Sequence, residues 1–102
     1  MKMKLGILVT TDRHLEQVMG LTAAAVKKGH EVVIFAMDGG IALLDDRDFT
    51  NLGEQEGVST SFCSHSARDQ GVDAEAQPPA LTVGSQLNNA MMANAVDRMI
   101  NL

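Results

Sequence analysis

Two unbroken apolar runs, Leu5-Gly6-Ile7-Leu8-Val9-Thr10 and Glu31-Val32-Val33-Ile34-Phe35-Ala36, flank a segment whose apolar residues recur at helical spacing. A strand that is apolar at successive positions is buried on both faces, the environment of a parallel sheet. Between the runs, Leu15, Val18, Met19, Thr22, Ala25 and Val26 fall on one helical stripe. Thr11 and Asp12 offer side-chain oxygens to the free amides at the start of that helix. Lys27 and Lys28 suit its negative end, and Gly29 supplies the left-handed residue that stops it. Two buried strands joined by a helix form a right-handed βαβ unit, and this predicts an α/β fold with a mainly parallel sheet.

The remainder extends that sheet to four or five strands within a single domain, 1–102. Asp38-Gly39-Gly40 is a turn signal after the second strand. Ile41 to Leu44 and Phe49 to Gln55 read as short helical pieces separated by Asp45-Asp46-Arg47-Asp48, and Gly57 resets the chain for a third strand, Val58 to Phe62. Ser64 to Gln77 is polar, Ser64 to Gly71 reads as a loop in which a helix starting near Ser66 would point its amides back at Cys63, and Pro78-Pro79 stops any helix. Leu81-Thr82-Val83 fits a short edge strand. Gln86 to Ala95 has Leu87, Ala90, Met91 and Ala95 at helical spacing, and Arg98 to Leu102 alternates as a last strand.

A net charge of −5 opposes sequence-independent phosphate binding, and the lack of Trp and Tyr removes stacking platforms for single strands. Direct nucleic-acid binding is therefore not expected. No apolar run approaches the length of a membrane span. The start, Met1-Lys2-Met3-Lys4 followed by Leu5 to Val9, mimics a signal peptide, but the apolar stretch is too short and no cleavage site follows. One cysteine cannot form an internal disulfide, which fits a reducing cytoplasm. Seven methionines take over packing from absent aromatics. Met91 and Met92 point in different directions on one helix, so one of them is expected to meet a partner, in a homo-oligomer above all.

Open parallel sheets place ligands beyond the carboxyl ends of their strands. Here those ends carry Thr10-Thr11-Asp12-Arg13-His14, Met37-Asp38-Gly39-Gly40 and Cys63-Ser64-His65-Ser66. Thr11, Asp12, His14, Asp38, Gly39, Ser64 and Ser66 are thus candidate ligand-binding residues. His30 precedes a strand and belongs at the opposite edge. Cys63 is either a reactive thiolate, with His65 and Arg68 supplying positive charge, or a small buried hydrophobe. A cap explains Asp12 and a turn explains Asp38 without chemistry. One Cys and two distant His make a poor zinc site, and the acidic run lacks the glycine and spaced carboxylates of a calcium loop. Neither G-x-G-x-x-G nor a Walker lysine motif is present, so no metal or organic cofactor is expected. The span from Cys63 to Arg68 is one residue short for a cysteine phosphatase. It has the length of a rhodanese active loop but lacks the glycine of an anion nest.

Lys4 to Thr11, then His14-Leu15-Glu16-Gln17 opening a helix, then Lys28-Gly29-His30-Glu31-Val32 resemble the DsrE/DsrF-like family. So do Cys63 with Ser66-Ala67-Arg68 after it, and the closing Val96-Asp97-Arg98-Met99-Ile100. The resemblance implies a three-layer α/β/α sandwich and a persulfide at Cys63, accepted from a sulfur donor protein and passed to an acceptor protein. It also implies homo-oligomers or hetero-oligomers with paralogous subunits. The segment between Gly40 and Gly57 is short and acidic, and Gly71 to Pro79 matches the family loosely. A non-catalytic subunit or small-ligand binding module of the same fold, and a rhodanese-like thiosulfate sulfurtransferase, are the alternatives to a sulfur carrier.

Overall fold

The computed structural model describes residues 2–102; Met1, part of the basic start, lies outside the described residues. Five strands, β1 (Lys4–Val9), β2 (Glu31–Ala36), β3 (Val58–Cys63), β4 (Leu81–Gly84) and β5 (Arg98–Asn101), form one sheet in the order β4-β3-β2-β1-β5. Every pairing is parallel: Lys4 lies opposite Glu31, Val32 opposite Val58, Thr60 opposite Leu81 and Leu5 opposite Arg98. The helices are α1 (Leu15–Lys27), α2 (Arg47–Thr50), α3 (Ser64–Asp69) and α4 (Gln86–Ala95). The expected α/β class, strand number and parallel sheet are all present.

The helix α1 buries Val18, Thr22 and Ala25, the centre of the predicted stripe. Its start differs from expectation. The residue before the first turn is His14, which makes no side-chain cap; Thr11 Oγ1 instead accepts from the Arg13 amide at 3.3 Å in the approach to the helix. Asp12 is exposed and does not cap the helix. The end is as the sequence dictates. Gly29 has φ +82, the Gly29 amide donates to Val26 O and the His30 amide to Ala25 O, both at 2.9 Å, which is a Schellman closure.

Between β2 and β3 the chain forms a 3₁₀ helix over Asp38–Asp45, then α2, then a second 3₁₀ helix over Asn51–Glu54. The acidic run thus divides helical pieces, with Asp46 Oδ1 accepting from the Asp48 amide at 2.8 Å to cap α2. Gly40 is required here, because a Cβ would drive into the carbonyl oxygen of Val9.

Strand alternation divides the sheet into two unlike faces. One carries Ile7, Val9, Val32, Ile34, Ala36 and Phe62, sealed by α1 and the β2–β3 connection through Val18, Ala25, Ile41, Leu44, Phe49 and Leu52. Each Val, Leu, Ile or Phe of this set withdrawn from water is worth about 1.5–3 kcal/mol. The other face buries Phe35 and Cys63 beneath Met92 of α4, with Leu8, Val33, Met37 and Val96 partly buried around them. The α4 helix has the predicted extent, with the residues that recur at helical spacing turned outward. Leu87 is 68% and Met91 60% exposed, while Met92 is buried. No helix among the described residues is long and apolar enough to cross a membrane.

Candidate functional site

Parallel pairing in one register brings the carboxyl ends of the strands to a common edge, as expected. There the Asp38 amide donates to Ser66 Oγ at 3.2 Å, and Gln70 Nε2 donates to the Asp38 carbonyl at 2.6 Å. These two bonds tie the end of β2 to α3. Asp38 itself adopts φ +49, a left-handed conformation that aspartate tolerates in turns. Gly39 lets the backbone pass close to Thr10, since a Cβ there would stand 3.0 Å from the Thr10 carbonyl oxygen.

Cys63 is the last residue of β3 and the residue that caps α3. The polar segment after it, read from the sequence as a loop, is a six-residue helix beginning at Ser64. Its third amide, that of Ser66, donates to Cys63 Sγ at 3.5 Å. A sulfur in the position usually held by a serine, threonine or aspartate oxygen is a weak cap as a thiol and a stronger one as a thiolate. The side chain is 1% exposed. Burial pushes the thiol pKa up, yet the Ser66 amide and hydroxyl, the Gln86 carboxamide and the His65 amide together outweigh it and hold the pKa below its ordinary value.

The side chains of His65 and Arg68 do not join this site. His65 Nε2 sits 3.2 Å from Asp69 Oδ2, one turn along α3, and the pair is exposed. The Arg68 side chain is exposed and makes no hydrogen bond or ion pair among the described residues. The reason is helical geometry. Inward positions of so short a helix go to Ser66 and Ala67, which are buried, and the flanking residues turn to solvent.

The other candidates divide. Ser66 and Asp38 meet at the thiol's flank. Thr11 Oγ1 donates to the Leu102 carbonyl at 3.1 Å, which places it at the β5 side of the sheet, two strands from β3. Asp12 is exposed, His14 is half-buried at the start of α1, and Ser64 is half-buried as the first residue of α3. His30 lies at the opposite edge, as expected, where its Nδ1 accepts from the Met3 amide at 3.0 Å. Among the described residues, no three His, Cys, Asp or Glu side chains converge as metal ligands.

Sequence reasoning missed Gln86. Its Nε2 lies 3.6 Å from Cys63 Sγ and 3.6 Å from Met37 Sδ. It is the first residue of α4, and β4 lies beside β3 with Gly84 opposite Cys63. The signal available was topological: a strand at Leu81 to Val83 paired with β3 delivers whatever follows it to the thiol.

No family model matches this chain, and no curated protein matches it. Solved structures share its architecture, two of them among the matches. One is a protein of unknown function, MTH1491, from Methanobacterium thermoautotrophicum, at 16% identity and a TM-score of 0.72, covering 98% of this chain and 99% of that one. The other is the ychN protein from E. coli, at 10% identity and a TM-score of 0.71, covering both chains completely. At these identities the likeness establishes the fold: this chain is a small α/β protein of the architecture of MTH1491 and ychN.

Proposed function

We propose that this protein is a cytoplasmic sulfur carrier that holds a persulfide on Cys63. The observation that carries this reading is a thiol capped by a backbone amide at the carboxyl end of a central strand, with its pKa held down despite burial. The resemblance of the sequence around Cys63 to the DsrE/DsrF-like family supports it, and the shared fold is compatible with it.

In the reaction, the Cys63 thiolate attacks the terminal sulfur of a donor protein's persulfide. A bond from Sγ to that sulfur forms as the donor's S–S bond breaks. The donor departs as a thiolate with the electron pair, and the proton stays on the transferred sulfur. An acceptor thiolate repeats the exchange on Cys63, so no net oxidation occurs and no metal or organic cofactor takes part. Backbone amides, rather than His65 or Arg68 side chains, would favour the thiolate. The partners are donor and acceptor proteins together with further copies of this chain or paralogous subunits, for which exposed Leu87 and Met91 offer an apolar stripe.

A second reading has its own observation. Cys63 at 1% exposure, packed with Phe35 and Met92, suits an unreactive wall residue in a binding subunit. One experiment separates the two: intact-protein mass after mild polysulfide treatment and desalting, wild type beside Cys63→Ser. The carrier gains one or more sulfur atoms only in the wild type. No gain, with a thiol inert to alkylation, assigns Cys63 to packing.

A further inference from the structure

Resting on the carrier reading, we propose that Gln86 is the gate and positioning residue of the Cys63 site, poised between two sulfurs. Its single Nε2 group stands 3.6 Å from Cys63 Sγ and 3.6 Å from Met37 Sδ. A carboxamide has two N–H donors, so both sulfurs can be served at once. Met37 is half-buried and belongs to the same small cluster as Cys63. Gln86 itself is exposed, whereas the thiol beneath it is almost completely covered. The side chain can therefore swing into solvent without disturbing the core, and the Cys63 side chain cannot reach solvent unless something above it moves.

A sulfur added on the Gln86 side of Cys63 and the closed carboxamide exclude one another. A sulfur bonded to Sγ stands about 2.05 Å from it. Along the line to Nε2 that atom would fall well inside the 3.6 Å now separating the two groups. A sulfur added on that side displaces Gln86, and Met37 Sδ is an acceptor already within reach to hold one N–H. The second N–H is then free to donate to the terminal sulfur. Closed, Gln86 favours the thiolate and shields it; displaced, it admits the donor and orients the sulfur that arrives.

The test is the pH–rate profile for alkylation of the folded protein by iodoacetamide, for wild type, Gln86→Ala and Gln86→Glu, with circular dichroism to establish folding. The midpoint reports thiolate formation, and the high-pH plateau reports access. In Gln86→Ala the plateau rises several-fold and the midpoint moves to higher pH. In Gln86→Glu, where the side chain keeps its size but cannot donate and repels the thiolate, the midpoint also moves up. Wild-type midpoints in both variants, or a Gln86→Ala plateau no faster than wild type, would overturn the proposal. Alkylation needs only the free thiol. Failure of polysulfide to load the wild type strikes the carrier reading and leaves the gate standing, and failure of the profiles to move does the reverse.

Discussion

The two faces of the sheet differ in kind. On one, eight buried strand residues, α1 and the β2–β3 connection enclose a continuous apolar cluster that includes completely buried Phe49 and Phe62. On the other, a single ten-residue helix contributes one buried side chain, Met92, and Phe35, Cys63 and Met92 form the whole buried set. A cavity of about 230 Å³ remains between α4 and the sheet, lined by Val33, Phe35, Met91 and Met92 among others. The thick face can hold the fold, so the thin face is free to tolerate a buried polarisable thiol, a movable glutamine and an exposed apolar stripe. The candidate chemistry lies where packing constrains least.

That contrast breaks most directly by truncation. Phe49→Ala removes a completely buried ring from the thick face and should cost ~3–5 kcal/mol, whereas Met92→Ala beside an existing cavity should cost about 2 kcal/mol, the low end for such changes. Urea unfolding of both variants measures the difference. Equal losses would mean that α4 contributes as much to the fold as the β2–β3 connection does, and the division of labour between faces would fail.

The same contrast explains what was legible in the sequence. The strands β1 and β2 are buried on both sides, so they announce themselves as continuous apolar runs, and α1 between them needs a clear stripe because it covers a large core. The fold class follows from those 33 residues, Lys4 to Ala36. On the thin face the pattern has little to report. Leu87, Ala90, Met91 and Ala95 recur at helical spacing, yet the inward side of α4 is Met92 with half-buried Asn89, and Val96 packs just after the helix ends. A helix with so little to bury does not declare its orientation. The α3 helix is shorter still, with only Ser66 and Ala67 inward, and a capping thiol in place of an oxygen hides its start. Gln86 carries no local signal, since it lies 23 residues from Cys63 in sequence and reaches the thiol only through the pairing of β4 with β3.

If the thin face is finished by a second copy of this chain, its outward stripe should govern association more than folding. Leu87→Lys combined with Met91→Lys places two charges on residues that are 68% and 60% exposed in the single chain. Each exposed change should shift monomer stability by no more than about 0.5 kcal/mol. Sedimentation should nonetheless show a smaller species than the wild type. A wild type that is monomeric at all concentrations would remove the stripe from consideration as a self-association surface.

The smallest effect expected concerns the thiol's own contribution to stability. Burial raises the pKa of Cys63, but the Ser66, Gln86 and His65 hydrogen bonds prevail and leave the folded value lowered. The unfolded chain, with a thiol pKa near ~8.5, therefore binds more protons than the folded one in the window between the two values. In that window stability rises with pH. The thiolate's contribution is fully present above the unfolded value and is lost as pH falls through the folded one. The difference in unfolding free energy between wild type and Cys63→Ser should therefore grow from neutral to mildly alkaline pH and then level off. Since Gln86 supplies part of the lowering, the rise should be shallower when the same pair is compared in a Gln86→Ala background. A difference that stays flat across that range would mean that the folded site does not prefer the thiolate, and the thin face would then hold Cys63 only as a packing residue.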